Sequence, residues 1–440
     1  MALGGGTWVT QNKVIPGSYI NIVSADKNTS TLGERGIVAL PIALDWATST
    51  EVFTIVAEDF QKYSLKLLGY DLMDDKLLPF REVFKYATKV LVYNIAQGGT
   101  KASCDYATAK GEGTRGNDLK LVIAPNVDDE KKWDVVTYLG NVIVDEQTVA
   151  GMSELVDNDF VKWTTTATLE ATAGISLTGG TNGSTEQQTA NIQKALDAFE
   201  SQQFTVLHAP NAGDAGINAL CVEYTKRRRD QDGVKFQTVI SNKAQVAYDY
   251  EGVVSVETVG TFNGAEEHMS YWAAGAVAGC AINKSCTNMT YNGELVPTVK
   301  FKQLDLEDLI KKGQFAFHKV DDEFRVLTDI NSLVTFTKEK SKDFQKNQVI
   351  RVIDERANYV ARCYNNDFLG KVQNDKAGRV SFWNALETHA RELEQIRAIQ
   401  NYASDELIVE AGNDKDVVVV TESLEPTVAM EKLYMTIVIK

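Results

Sequence analysis

The sequence predicts a multidomain fold that combines α/β and β structure and carries an extended strand arm at each end. Three observations lead there. Strand and helix signals alternate between about residues 179 and 329, the rhythm of a parallel sheet with helices on both faces. Short strand signals separated by turn residues fill positions 89–178, the spacing of a small β-sandwich or barrel. Both ends of the chain are apolar, almost uncharged and alternate with strand period.

The elements follow in order. Residues 1–24 form an N-terminal arm in which Thr7, Trp8, Val9 and Val14 lead to Tyr19, and Ile20 and Ile22 alternate with Tyr19 and Asn21. Residues 25–88 are an α/β segment with a strand at 36–40 and a helix whose first turn holds Pro79, where the missing N–H costs nothing. The sandwich, residues 89–178, begins with a strand at 89–93 and continues with one at 119–123. Strands at 133–139 and 142–149 flank Gly140-Asn141, a two-residue hairpin signal.

The α/β domain spans residues 179–330. Ile192, Ala195, Leu196 and Phe199 fall at i, i+3, i+4, i+7 behind a Thr185…Gln188 capping box. A strand at 204–207, a helical face of Ile217, Leu220, Cys221 and Tyr224, and a strand at 236–240 continue the alternation. The last domain, residues 331–440, holds a helix with Val349, Val352, Ile353 and Arg356 on one face. A second helix at 380–400 has Leu386, Leu393 and Ile396 inside, and strands follow at 417–420 and 433–439.

The terminal strands carry the functional expectation. Leu433, Met435, Ile437 and Ile439 point one way, and Tyr434, Thr436 and Val438 the other. Chain ends ordinarily fray, and an unpaired apolar edge is a liability unless something pairs with it. Donating each end to a sheet on a neighbouring subunit satisfies the backbone and buries the side chains. A chain with two such ends is built to be linked into an array of its own copies.

Composition narrows the classes. The chain has 440 residues, 44% hydrophobic, with a formal charge of −15. That balance argues against nucleic acid or an anionic membrane as partner. The longest near-apolar run, 273–282, is half the length needed to span a bilayer, so no membrane insertion is expected. The N-terminus lacks the basic and apolar regions of an export signal. Cys104, Cys221, Cys280, Cys286 and Cys363 are scattered without a CxxC pair, which reads as reduced thiols in a cytosol-assembled protein with no metal or cofactor.

Motifs for chemistry are weak. His268 and Ser270 lie within Glu266-Glu267-His268-Met269-Ser270, read as helical and lacking the glycine of a nucleophile turn. The four histidines read as ordinary polar or surface residues. Gly179-Gly180-Thr181-Asn182-Gly183 resembles a phosphate cradle, but no lysine follows Gly183. Lys226-Arg227-Arg228-Arg229 would point all around a helix axis, which suits a solvated face or an inter-subunit salt contact. No catalytic, cofactor or metal residue is expected.

Five segments in register carry a resemblance. They are Pro16-Gly17-Ser18-Tyr19-Ile20; Gly113-Thr114-Arg115-Gly116-Asn117-Asp118; the stretch from Leu177 to Gly183; the stretch from Arg325 to Leu333; and the closing stretch from Glu425 to Thr436. In this order they are similar to the contractile tail sheath proteins of phages and of phage-tail-like bacteriocins from Gram-positive hosts. The resemblance implies a non-catalytic, subtilisin-like α/β domain beside the sandwich, and a C-terminal domain that faces an inner tail tube. It implies a structural subunit in stacked hexameric rings whose contraction drives the tube through a target cell envelope. Implied partners are further copies of the chain, the tube protein, and baseplate and tail terminator proteins. Implied location is assembly in the bacterial host cytoplasm and residence in a virion tail or released bacteriocin particle. Arg391, Glu392 and Glu394 on the second C-terminal helix become candidates to face the tube, with a plain solvent-facing helix side as the competing reading. Two other readings compete: a different self-assembling shell or surface-layer protein, and an α/β enzyme that binds nucleotide or hydrolyses a substrate.

Overall fold

The computed structural model describes residues 5–6, 18–19, 32–96, 98–164, 166–184, 188–210 and 213–439. Its centre is a seven-stranded sheet. In chain order the strands are β1 (Ile37–Ile42), β2 (Phe53–Val56), β3 (Lys89–Asn94), β4 (Val206–His208), β5 (Gln237–Ser241), β6 (Val253–Val256) and β7 (Gln314–Phe315). They lie side by side as β7-β6-β5-β4-β1-β3-β2, all parallel except β2, which runs against β3.

Alternation along β1 shows why this sheet is a buried layer. Val38 and Leu40 face one core with Trp272, Ala273 and Val277 of helix α3 (Ser270–Gly279). Ile37 and Ala39 face a second core with Ile192 and Phe199 of α1 (Gln188–Phe199) and Ile217 and Cys221 of α2 (Ala215–Lys226). Apolar residues on both faces of a strand require helices on both sides. The apolar run at 273–282 is therefore mainly a core helix. Thr185 lies outside the described residues, so the capping box is not described.

One boundary differs from the sequence reading. The strand Lys89–Asn94 was expected to open the sandwich at residue 89. It pairs instead with β1, from Ile37↔Lys89 to Ile42↔Asn94, in the central sheet. Within the expected 25–88 segment, the strands Ile37–Ile42 and Phe53–Val56 likewise belong to that sheet rather than to a separate body. The cause is burial: Val90, Leu91 and Val92 are all buried, which a central parallel strand tolerates and a sandwich strand with one wet face does not.

The β-sandwich is thus an insertion after β3. Its four-stranded sheet runs Val142–Val149, Trp133–Leu139, Leu119–Pro125, Thr172–Ser176, and its three-stranded sheet runs Val161–Trp163, Ala107–Glu112, Lys101–Ser103. The hairpin at Gly140-Asn141 forms as expected, with Gly140 at φ 63° and Val142 opposite Leu139. Two of the segments that carry the resemblance meet at the neck of the insertion. Asn117 exchanges hydrogen bonds with Gly180 at 2.9 and 2.8 Å, and Thr114 N donates to Asn182 Oδ1 at 2.9 Å. Gly113, at φ 121°, passes so close to Asp45 O that a Cβ there would sit 2.0 Å away.

The C-terminal domain is two helices, α4 (Asn347–Cys363) and α5 (Lys376–Gln395), with a hairpin of Ile408–Ala411 and Val418–Thr421. Val349, Val352 and Arg356 are buried on α4, and Leu386 and Leu393 on α5.

Candidate assembly surface

Helix α4 is fastened to the central sheet by polar side chains. Arg351 on α4 donates to Asp329 Oδ2 at 2.5 Å, and Asn347 donates to Asp329 Oδ1 at 2.9 Å. Gln237 of β5 donates to Asn347 at 2.8 Å. Burial alone would push the Asp329 carboxyl up, but the Arg351 guanidinium and hydrogen bonds from Cys286 N and Asn347 outweigh it and hold it below the usual range. The basic run takes part: Arg229 is buried and grips Asp354 of α4 at 2.6 and 2.8 Å. Arg227 pairs with Glu200 and Asp232, and Arg228 with Asp232. Each of these arginines has an ion-pair partner within the chain, and Arg229 is buried rather than on the solvated face expected; a π-turn spans Arg227–Gln231.

The histidines also depart from expectation. His208 and His389 are fully buried. The stretch expected to be helical is a strand, Ala265–His268, paired with Val259–Phe262 around a turn with Asn263 at φ 47° and Gly264 at φ 83°. Asn-Gly is a hairpin signal that sequence reading passed over. The fold brings two Ser–His contacts to the carboxyl ends of β4 and β5: His208 Nε2 to Ser270 Oγ at 2.9 Å, and Ser241 Oγ to His268 Nδ1 at 2.7 Å. They do not form a triad. Ser270 is 0% exposed, and His208 Nδ1 has no carboxylate to orient the ring. Burial first, then His268, pushes His208 down to about 3, leaving it neutral against the Tyr271 ring. The glycine-rich turn is occupied too, since the Gly180 amide donates to Asn117.

The chain end is where polar fastening stops. Thr427 N donates to Ala398 O at 2.9 Å and Ala429 N to Gln348 Oε1 at 2.9 Å. Glu431 then accepts from Thr287 Oγ1 at 2.9 Å, Thr328 Oγ1 at 3.3 Å and Lys346 Nζ. Beyond it, Leu433, Met435, Ile437 and Ile439 project from the body unpaired, as do Tyr434, Thr436 and Val438, with Ile437 74% and Ile439 93% exposed. Within one subunit neither side of the expected strand is buried. On the same domain, the hairpin presents Ile408, Val419 and Val420 to solvent.

Of the arm residues, Thr7, Trp8, Val9, Val14, Ile20 and Ile22 lie outside the described residues. The backbone of Tyr19 belongs to a two-residue parallel pairing of Ser18–Tyr19 with Gly5–Gly6. Arg391 is exposed on α5, but its guanidinium binds Glu387 at 2.9 Å, Glu394 at 2.8 Å and Ser404 at 2.6 Å. Glu392 and Glu394 are half-buried beside it. Among the described residues no helix is long and apolar enough to cross a membrane, and no group of three or more acidic, histidine or cysteine side chains is placed to hold a metal ion.

Comparison with known proteins accounts for the whole architecture. Models of the phage tail sheath protein match its β-sandwich domain at residues 97–182, its central domain at 185–332 and its C-terminal domain at 339–440. The N-terminal region of domain III of tail sheath protein Gp18 matches residues 35–95, the stretch that supplies β1, β2 and β3. The phage-like element PBSX protein XkdK of Bacillus subtilis (strain 168) is 32% identical, with 99% of each chain covered. The crystal structure of a sheath tail protein from Desulfitobacterium hafniense superposes with a TM-score of 0.80 at 34% identity, covering 95% of this chain and 99% of that one. The helical sheath of the anti-feeding prophage in its contracted state shares the fold alone, at 12% identity and a TM-score of 0.55, covering 96% and 99%. These relatives are structural sheath proteins rather than enzymes, and the chain belongs to the phage tail sheath protein family.

Proposed function

We propose that this chain is the repeating subunit of a contractile sheath, stacked in hexameric rings around an inner tail tube, and that contraction drives the tube through a target cell envelope. The observation that carries the reading is the apolar C-terminal segment 433–439, held to the body as far as Glu431 and exposed beyond it. Seven extended residues reach about 23 Å at about 3.3 Å each, far enough to enter a neighbour. The hairpin of Ile408–Ala411 and Val418–Thr421 has the exposed apolar face and free edge that such a strand needs. The N-terminal arm, with Thr7, Trp8, Val9, Val14, Tyr19, Ile20 and Ile22, supplies the second link. Arg391, Glu392 and Glu394 are the residues proposed to face the tube.

Each arm strand adds several backbone hydrogen bonds, each worth roughly 0.5–1.5 kcal/mol net. Apolar burial adds about 25 cal/mol per Å². Links of several kcal/mol let the bodies between them move as rigid units while rings stay joined. Tube, baseplate and tail terminator proteins are the partners, and the sheath assembles in the host cytoplasm. The central domain is read as subtilisin-like in its layout, with no catalytic role. Deleting residues 2–22 and expressing the chain with its tube tests this: the body stays folded and soluble, and electron microscopy finds no sheath. Normal sheath from the truncated chain would overturn the arm assignment.

A further inference from the structure

A different kind of site lies at the tip of the hairpin that joins Val259–Phe262 to Ala265–His268. Phe262 pairs with Ala265, so the turn between them is Asn263-Gly264 alone. The two residues sit at φ 47° and 83°, and both are exposed. A Cβ on Gly264 would meet nothing within 4 Å. Asn263 Nδ2 donates to Asp75 Oδ2 at 3.0 Å, a bond that ties the hairpin tip to the short turn Asp75–Leu77. Asp75 is exposed as well, so the tether lies on the surface and holds the Asn263 amide by its nitrogen.

The sequence holds two more Asn-Gly pairs, and the fold restrains both. Asn182 Oδ1 accepts from Thr114 N at 2.9 Å and from Thr114 Oγ1 at 3.3 Å, and Gly183 is buried. Asn292 Oδ1 accepts from Trp272 Nε1 at 2.9 Å. A Cβ on Gly293 would stand 2.2 Å from Tyr291 Oη and 2.3 Å from Glu82 Oε2, so the backbone there has little room to turn. Asparagine is a thermolabile residue. It is most exposed to loss before glycine, where no Cβ shields the next backbone nitrogen. Loss begins when that nitrogen swings onto the side-chain carbonyl carbon. At Asn182 and Asn292 the side-chain carbonyl is held in place and the following glycine is buried or crowded. Asn263 and Gly264 stand in solvent, restrained by the surface hydrogen bond to Asp75.

We propose that Asn263 is a site of spontaneous deamidation, with water as the co-reactant, and that its conversion cuts the tether to Asp75. The Gly264 nitrogen attacks Asn263 Cγ, and the new C–N bond closes a succinimide ring. The Cγ–Nδ2 bond breaks, and ammonia leaves with the proton that the Gly264 nitrogen gives up. Water then adds to one of the two ring carbonyls and opens the ring. Attack at the side-chain carbonyl gives aspartate at position 263. Attack at the backbone carbonyl gives isoaspartate, whose main chain runs through the side-chain carbon. One amide and one water give one carboxylic acid and one ammonia. Either product ionises and sets a carboxylate where a donor had faced Asp75, so an attraction becomes a like-charge repulsion. The hairpin tip is then released from the Asp75–Leu77 turn, and each converted copy gains one negative charge.

The test incubates the full chain in warm, mildly alkaline buffer, once folded and once in urea, and maps the peptides by mass spectrometry over time. In urea all three Asn-Gly pairs are expected to convert, because the dipeptide is the same in each. In the folded chain Asn263 is expected to convert, with isoaspartate among the products, while Asn182 and Asn292 remain amides. Asn263→Gln, whose longer side chain does not close the five-membered ring, should abolish conversion at that position. Folded-state conversion of Asn182 or Asn292 ahead of Asn263 would overturn the proposal. So would an Asn263 that stays an amide in the folded chain after it has converted in urea. The tether is tested separately with Asn263→Asp, in which hydrogen exchange at the tip, residues 261–266, should be faster than in the unaltered chain. Unchanged exchange there would overturn the release of the hairpin.

Discussion

Glu431 accepts a hydrogen bond from Thr287 Oγ1 at 2.9 Å, and among the described residues it is the last side chain fastened to the body. Thr287 Oγ1 in turn receives the Asp329 amide at 2.9 Å, so the root of the tail is tied to the loop that anchors α4. The C-terminal segment thus starts from a defined point rather than from a frayed end. A link between rigid bodies transmits force only if its root does not slip.

Replacing Glu431 by Ala should loosen that root. Three hydrogen-bonding partners are lost, two of them neutral hydroxyls, for about 1–3 kcal/mol in total. Global stability should change little, because the tail is peripheral. Hydrogen exchange should report faster exchange at Ala429 and Thr427, and sheath yield should fall.

Asp329→Ala should be far worse. It leaves Arg351 buried without its carboxylate, a change worth about 3–5 kcal/mol. Thermal unfolding should show this as a large drop, while Asp308→Ala, on an exposed helix surface, should be nearly silent. The Asp329 carboxyl sits below its unfolded value of about 3.9. Its contribution is therefore complete above about pH 4 and is lost as pH falls through the lower folded value.

His208 sets a second acid limit. Its folded value is pushed down to about 3 by burial and then by His268, whereas the unfolded ring titrates near 6.5. As pH falls below about 6.5 the unfolded chain takes up a proton that the folded chain refuses, so stability declines until about pH 3. Urea unfolding from pH 7 to 4 should show this slope, and His208→Gln should flatten it. Ser270→Ala should leave sheath formation unchanged, since the Ser270–His208 contact is structural.

Much of this fold was legible because its signals are local. Strong 3.6-residue periodicity gave α1, α2 and α4, and Gly140-Asn141 gave the sandwich hairpin. What failed was long-range. The pairing of Lys89–Asn94 with Ile37–Ile42 joins residues about fifty positions apart, and the short apolar run was grouped with the strand signals that follow it in sequence although its lack of alternation suits a central parallel strand. The ion pairs of Arg229 with Asp354 and Arg351 with Asp329 join residues 125 and 22 positions apart, and the basic run looked free for that reason. The apolar alternation of the C-terminal segment was legible from the sequence alone; its proposed partner is not, since a strand on another copy leaves no local pattern in this one.

The two sides of that segment should respond differently. Burying Ile437 is worth about 1.5–3 kcal/mol, and a carboxylate there adds the cost of desolvating a charge. Ile437→Asp should therefore weaken ring-to-ring linkage, while Thr436→Asp is better tolerated. Equal sheath yields, or the reverse order, would place the strand one residue out of register.

The central claim is that the exposed C-terminal segment belongs to a neighbour's sheet. A helical reconstruction of assembled sheath at side-chain resolution tests it most directly. The account predicts residues 433–439 of each subunit hydrogen-bonded as a strand on another subunit, with Leu433, Met435, Ile437 and Ile439 turned to its core. A segment folded back onto its own subunit, or left in solvent in the assembled sheath, would contradict it.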